Sequence, residues 1–308
     1  MPILSVQQLS KRYGPIQALD GVSFEVPKGT VFGILGPNGS GKTTTLGIVM
    51  DVLKATSGTY TFFDQAPSAE SRQRIGTLLE TPNFYHYLSA SKNLKISAGI
   101  KGKGENEIDS VLDRVGLLQR KDSAFSTFSL GMKQRLAIAA SLLGSPEVLV
   151  LDEPTNGLDP VGISEIRELI KSLSGEGKTI IMASHLLDEV EKVCTHMVLL
   201  KKGKMIATGK VSEILTTGDV VEIGAAGSGD LAGVIGAFPG ISKIEAQDGR
   251  LNLIFDSTDI SLGKINEYCF SKGITLDHLS MKRKNLETRF LELTQEAPTA
   301  KPGKKKPN

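Results

Sequence analysis

No stretch of this 308-residue sequence approaches the roughly 20 consecutive apolar residues needed to cross a bilayer. Any membrane role therefore has to run through another polypeptide. The opening Met1-Pro2-Ile3-Leu4-Ser5 lacks the basic-then-apolar pattern of a secretion signal. Net charge is scarce as well. Lys and Arg together number 36 against 34 Asp and Glu, which leaves +2 and no global pull toward nucleic acid. The cysteines are two, Cys194 and Cys269, with neither disulfide-framework nor zinc spacing. They read as packed thiols in a reducing compartment. What remains is the composition of an ordinary globular protein, long enough for about two domains.

One run stands out against that plain background. Gly36-Pro37-Asn38-Gly39-Ser40-Gly41-Lys42-Thr43 fits the pattern G-x-x-x-x-G-K-[ST] without a mismatch. A short apolar run, 30–35, precedes it, and a helix-like segment from Thr44 to Leu53 follows. Strand, glycine loop and helix are the context of a phosphate-binding loop. The glycines let backbone N–H groups turn toward the phosphates, and the helix N-terminus adds partial positive charge there. Lys42 can reach the β- and γ-phosphates, and the Thr43 hydroxyl can ligate Mg²⁺.

A second cluster narrows the chemistry. In the run 147–154, continuous Val and Leu end in Asp152 and Glu153. Apolar residues without alternation indicate a strand buried on both faces, as in a parallel sheet. A carboxylate at its C-terminal end can hold Mg²⁺ beside Thr43, the role assigned to Asp152. Glu153 is then placed to polarise the attacking water as a general base.

Between these clusters lies Phe128-Ser129-Leu130-Gly131-Met132-Lys133-Gln134-Arg135; after them come Asn156-Gly157-Leu158-Asp159 and Ser184-His185. With this set in this order, residues 1 to about 215 resemble the nucleotide-binding subunits of ATP-binding cassette (ABC) transporters. The resemblance implies an α/β phosphate-loop NTPase: a RecA-like parallel core, an antiparallel β subdomain and a helical insert. It also implies roles. Tyr13 would stack on adenine, and the loop from Gly36 to Thr43, with Thr44, would hold the phosphates. Ser129 and Gly131 would contact the γ-phosphate held by a second subunit. Asp159 would lie at the dimer interface, and His185 would sense the γ-phosphate. Glu80 would join Thr43 and Asp152 on Mg²⁺.

Two departures from the family pattern matter. The signature, usually L-S-G-G-Q, has Leu130 in place of a glycine and Met132 in place of glutamine. Glu80 stands where the family usually has glutamine. Both departures are similar to those of bacitracin- and lantibiotic-type exporters. The resemblance further implies ATP and Mg²⁺ as ligands and a second ATPase subunit, a homodimer. A separately encoded multi-span permease and a cytoplasmic position on the inner face of the cell membrane follow from it too. No nucleic-acid partner is expected. Two rivals stay open: a soluble ABC ATPase acting on ribosomes or nucleic-acid complexes, and a weakly catalytic regulatory partner in a heterodimer.

The remaining organisation follows from pattern. Strands are expected over 3–10, 22–27 and 59–64, a short helix over 66–75, and a strand over 75–79. The helical insert is expected over about 83–143, with helices from 91, over 105–115 and over 131–143. Phe84, Tyr85, His86 and Tyr87 sit near its start. They fit equally a docking surface and the insert's own core. Helices are expected over 163–173 and 186–193, and Lys202-Gly203 marks a two-residue hairpin. The ATPase domain is set at 1–217. Residues 219–294 read as an accessory domain, β-α-β-β-α-β, the order of a ferredoxin-like α+β fold. It includes strands 241–246 and 250–255 around the turn Gln247-Asp248-Gly249, and a last helix over 286–293. Residues 295–308, with four lysines and three prolines from 297 on, read as a disordered basic tail.

Overall fold

The computed structural model describes residues 1–79, 82–216, 220–225, 230–247, 249–255 and 261–282, with Leu286 and Phe290. Glu80, most of the last expected helix and the basic tail lie outside the described residues. The chain divides into two compact units, Met1–Gly209 and Lys210–Asn308.

The first unit opens with β1 (Pro2–Tyr13), β2 (Ile16–Pro27) and β3 (Val31–Leu35), then α1 (Lys42–Val49), β4 (Ser57–Phe62), α2 (Ala69–Gln73) and β5 (Ile75–Leu78). The insert follows with α3 (Ala90–Lys101), α4 (Ile108–Arg114) and α5 (Leu130–Leu142). The unit closes with β6 (Val148–Asp152), α6 (Pro160–Gly175), β7 (Thr179–Ser184), α7 (Leu187–Val193), β8 (His196–Lys201) and β9 (Lys204–Lys210).

Two sheets organise it. β5-β6-β7-β3-β8-β9 form one sheet, parallel from β5 through β8. β2-β1-β4 form a smaller antiparallel one. Every residue of β3, β6 and β7 is buried, as the unbroken apolar runs require. Alternate positions divide between two faces. Phe32 and Ile34, Val148 and Val150, Ile181 and Ala183, and Val198 and Leu200 share one core with α1 and both strands of the β1–β2 hairpin. Each fully buried Val, Leu, Ile or Phe among them contributes roughly 1.5–3 kcal/mol. On the other face α7 lies against β3; a methyl on Gly33 would come 2.9 Å from Val190 Cγ1. Helix α6 buries Ile166, Ile170 and Leu173, one stripe at helical spacing.

Several elements differ from expectation. β1 and β2 run to a tight turn at Gly14 and are longer than the expected 3–10 and 22–27. The extra length carries Lys11, Arg12 and Gln17, so it shows no apolar alternation, and bulges break its register. Helix α2 starts only after Pro67, where Ser68 caps it in a reciprocal pair with Ser71. At 202–203 both residues are left-handed, φ 49° and 78°, as a two-residue hairpin turn demands. This turn reaches the phosphate loop. Gly203 N–H donates to the Ser40 carbonyl at 3.1 Å, and its own carbonyl accepts from Asp20 N–H at 2.8 Å.

The aromatic run at the start of the insert splits between its two readings. Phe84 and His86 set their rings against buried Phe125, at 5.3 and 5.5 Å. Tyr85 and Tyr87 are 52% and 77% exposed and touch each other edge-on.

The second unit begins at Lys210, and its first helix is α8 (Val211–Thr216). It continues with β10 (Val220–Ala225), α9 (Leu231–Ile235), β11 (Ile241–Gln247), β12 (Arg250–Phe255), α10 (Leu262–Ser271) and β13 (Leu276–Lys282). Its antiparallel sheet has the order β11-β12-β10-β13, the ferredoxin-like arrangement. Val221, Ile223, Leu253, Phe255, Ile265 and Cys269 form its core. The opposite sheet face centres on Glu222, which pairs with Lys282 at 2.6 Å, Arg250 at 3.2 Å and His278 at 3.6 Å.

Candidate nucleotide site

The phosphate loop is held by its neighbours on both sides. A methyl on Gly36 would come 2.2 Å from the Leu200 carbonyl of β8. One on Gly41, at φ 105°, would come 2.5 Å from Leu19 Cδ2 of β2. No side chain larger than hydrogen fits at either position. Pro37, Asn38 and Gly39 stay exposed at the tip, and Ser40 is buried beneath them. Its hydroxyl has no hydrogen-bond partner among the described residues. A buried unpaired hydroxyl beneath an open backbone cradle suits a loop built to receive oxygen-rich groups.

Lys42 begins α1 and is 5% exposed. Its Nζ donates to the Gly36 carbonyl at 2.9 Å and lies 3.4 Å from Glu153 Oε1. Thr43 and Thr44 complete the first turn, with Thr43 exposed.

Asp152 ends β6 and is buried, paired in register with Ala183 of β7. Glu153 follows with a left-handed backbone, φ 47°, a conformation that costs a non-glycine residue roughly 1–2 kcal/mol. The turn is fixed by Glu153 N–H donating to the Ala183 carbonyl at 3.0 Å. It delivers the carboxylate between two basic groups. Oε1 faces Lys42, and Oε2 lies 2.8 Å from His185 Nδ1. His185 leaves β7 through a turn in which Ser184 Oγ accepts from Leu186 N–H at 3.0 Å. A left-handed backbone thus sets this acid between a lysine and a histidine, an arrangement that recurs at functional sites.

Thr43, Asp152 and Glu153 line one cleft of about 400 Å³ with Pro82, Leu130, Gln134 and Asn156. A hydroxyl and a carboxylate in one cleft are donors that suit a hard divalent cation. A larger cleft, about 470 Å³ between Met50, Arg72, Ile100 and Lys101, contains none of these groups.

The signature side is arranged differently. Ser129 caps α5, its Oγ accepting from Met132 N–H at 3.3 Å, and Gly131 lies in the first turn. Asp159 caps α6, its carboxylate accepting from Gly162 N–H at 2.8 Å ahead of Pro160. Tyr13, 43% exposed, ends β1 with Lys11 Nζ 4.9 Å from its ring centre. The structure thus joins Lys42, Thr43, Asp152, Glu153 and His185 in one constellation. It leaves Ser129, Gly131, Asp159 and Tyr13 on the surface. Sequence reasoning missed Leu130 and Gln134 as cleft-lining residues, although their i, i+4 spacing on α5 places them on one helix face.

Comparison with known proteins decides the family. Residues 19–156 match the model described as ABC transporter. The chain is 34% identical over 297 residues to the bacitracin transport ATP-binding protein BcrA of Enterococcus faecalis, covering 94% of this chain and 96% of the relative. It belongs to the ABC transporter family. A lantibiotic transport ATP-binding protein, SrtF of Streptococcus pyogenes, is 43% identical over 204 residues, with 66% of this chain and 89% of the relative covered. Among solved structures, cbiO1 of Clostridium perfringens, part of the ABC transporter complex cbiONQ, superposes with a TM-score of 0.63. It is 34% identical and covers 69% of this chain and 90% of that one. The ADP conformation of the cassette MJ1267 gives a TM-score of 0.65 at 26% identity, covering 70% and 95%. As a family member the chain is an ATP-binding and ATP-hydrolysing transport subunit. Among the described residues no helix is long and apolar enough to cross a membrane.

Proposed function

We propose that this chain is the ATPase subunit of a membrane exporter, acting as a homodimer on a separately encoded multi-span permease. The observation that carries the reading is Glu153, held between Lys42 and His185 in the cleft that Asp152 and Thr43 share. The transport names of the similar proteins support export. They equally support a place on the inner face of the cell membrane.

In this reading residues 1–217 are the motor, with its insert at about 83–143, and residues 219–294 are accessory. Tyr13 offers a ring face to adenine. The backbone from Gly36 to Gly41 and the start of α1, with Thr44, receive the phosphates, and Lys42 exchanges its carbonyl partners for phosphate oxygens. Thr43 and Asp152 would hold Mg²⁺, joined by Glu80 from outside the described residues, and the bound cation would offset charge on the phosphate oxygens. Glu153 accepts a proton from the water that attacks the γ-phosphorus, while His185 keeps that carboxylate oriented. The bond to the leaving ADP oxygen breaks, and phosphate departs. Ser129 and Gly131 of a second copy complete the γ-phosphate contacts, so ATP shifts the population toward a closed pair. Tyr85, Tyr87 and Ile100 on the insert's outer surface are exposed and apolar, as a permease-facing surface requires.

The test is the solution mass of the Glu153→Gln chain with and without Mg-ATP. That change slows hydrolysis and keeps binding, so a monomer-to-dimer shift with ATP is expected. A chain that stays monomeric at saturating ATP would reject the paired reading.

A further inference from the structure

Leu130 departs from the glycine usual at its position, and the structure gives it a place. It heads α5 and lines the cleft with Thr43, Asp152 and Glu153. It also meets the turn that follows β6. A methyl added to Gly157 would lie 3.1 Å from Leu130 Cδ2, tighter than an ordinary carbon contact. The neighbouring residues repeat the arrangement in reverse. A methyl on Gly131 would lie 4.0 Å from Leu158 Cδ2. Leucine sits over glycine twice, with the partners exchanged between the two segments. Gly157 at φ 75° could not take a side chain without strain. Leu130 is 46% exposed, so part of its side chain lies on the bare backbone at Gly157 and the rest faces outward.

We propose that Leu130 is a positioning residue for ATP hydrolysis. It locks the 156–159 turn to the start of α5, so that Ser129, Gly131 and Asp159 meet the second copy as one body. This rests on the paired reading above. A glycine at 130 would leave the two segments free to move separately, each needing to be ordered when the pair closes. With Leu130 that ordering is already present in the single chain, and less ATP-binding energy is needed to close. The same side chain borders the Asp152–Glu153 cleft, so closure and the hydrolytic residues are linked through it.

The experiment uses the full chain carrying Glu153→Gln and measures the ATP concentration at which half of it pairs. Leu130→Ala keeps helix propensity and removes the knob. It is expected to raise that concentration roughly fivefold, the effect of losing a few methyl contacts. Leu130→Met, apolar and of similar volume, is expected to restore it to within twofold. In the chain with native Glu153, Leu130→Ala is expected to raise KM for ATP by a similar factor. An unchanged midpoint in Leu130→Ala, or equal shifts in the Ala and Met variants, overturns the proposal. So does strict additivity of Leu130→Ala and Leu158→Ala in thermal midpoint, since an interlock couples them. If Glu153→Gln never pairs whatever stands at 130, the paired reading itself fails, which is a different result from an unshifted midpoint.

Discussion

The two halves of the nucleotide site are built on opposite principles. Asp152, Glu153 and His185 sit at the ends of β6 and β7, adjacent strands of one buried sheet, and Lys42, where α1 starts after the loop from neighbouring β3, engages Glu153. Ser129, Gly131 and Asp159 lie at helix starts, and two of them use their side chains to cap their own helices. The first half is complete within one chain. The second half faces outward and has only a local task there. In the proposed reading, the chemistry that needs fixed geometry falls to groups braced by the buried sheet, and the contacts between two copies fall to the outward-facing helix starts of α5 and α6.

The sharpest way to break this contrast is Lys42→Ala. Removing a phosphate-stabilising cation is expected to lower ATPase turnover at least about 10²-fold. Near-normal turnover would show that the sheet-borne half is not the hydrolytic one. The next effect is on stability. Ile181 of β7 is fully buried two residues before Ala183, so Ile181→Ala is expected to cost roughly 2–5 kcal/mol in denaturant unfolding. Asp159→Ala removes only a helix cap, about 1 kcal/mol. Equal losses at the two sites would erase the distinction between them.

The smallest effect contrasts the two units. Lys282 and Arg250 flank Glu222 on the second sheet, and the hydrogen bond from Lys282 leads in holding its carboxyl below the ordinary value of 4.5. A lowered folded-state value means stability that is present above 4.5 and is lost as pH falls through the folded value. Glu222→Gln is expected to flatten the acid limb of unfolding followed by a probe in the second unit, and to leave the first unit's limb unchanged. An unaltered acid limb in both would show that the charge cluster contributes nothing to folding.

The sheet-borne half was legible in the sequence because its strands are apolar without interruption and its loop needs glycine at fixed positions. The order β-α-β-β-α-β was legible through a different pattern, since Val221 and Ile223, and Leu253 and Phe255, occupy alternate positions. The far ends of β1 and β2 were not, because Lys11, Arg12 and Gln17 leave no hydrophobic signature. Nor was the left-handed turn at Glu153, which is imposed by Ala183 of a neighbouring strand and not by local preference. The Leu130–Gly157 fit joins segments on either side of β6, so no local pattern could show it.

The turn at Lys202-Gly203 has a practical consequence. Hairpin tips are where inserted tags, split sites and new termini are usually tolerated, and Lys202 is exposed like any such tip. Yet the next residue's N–H supports the Ser40 carbonyl, and a methyl on Gly203 would come 2.7 Å from the Ala18 carbonyl. A fluorescent reporter spliced there would fold into a cassette whose nucleotide loop had lost its prop, and it would report on a protein that no longer grips ATP.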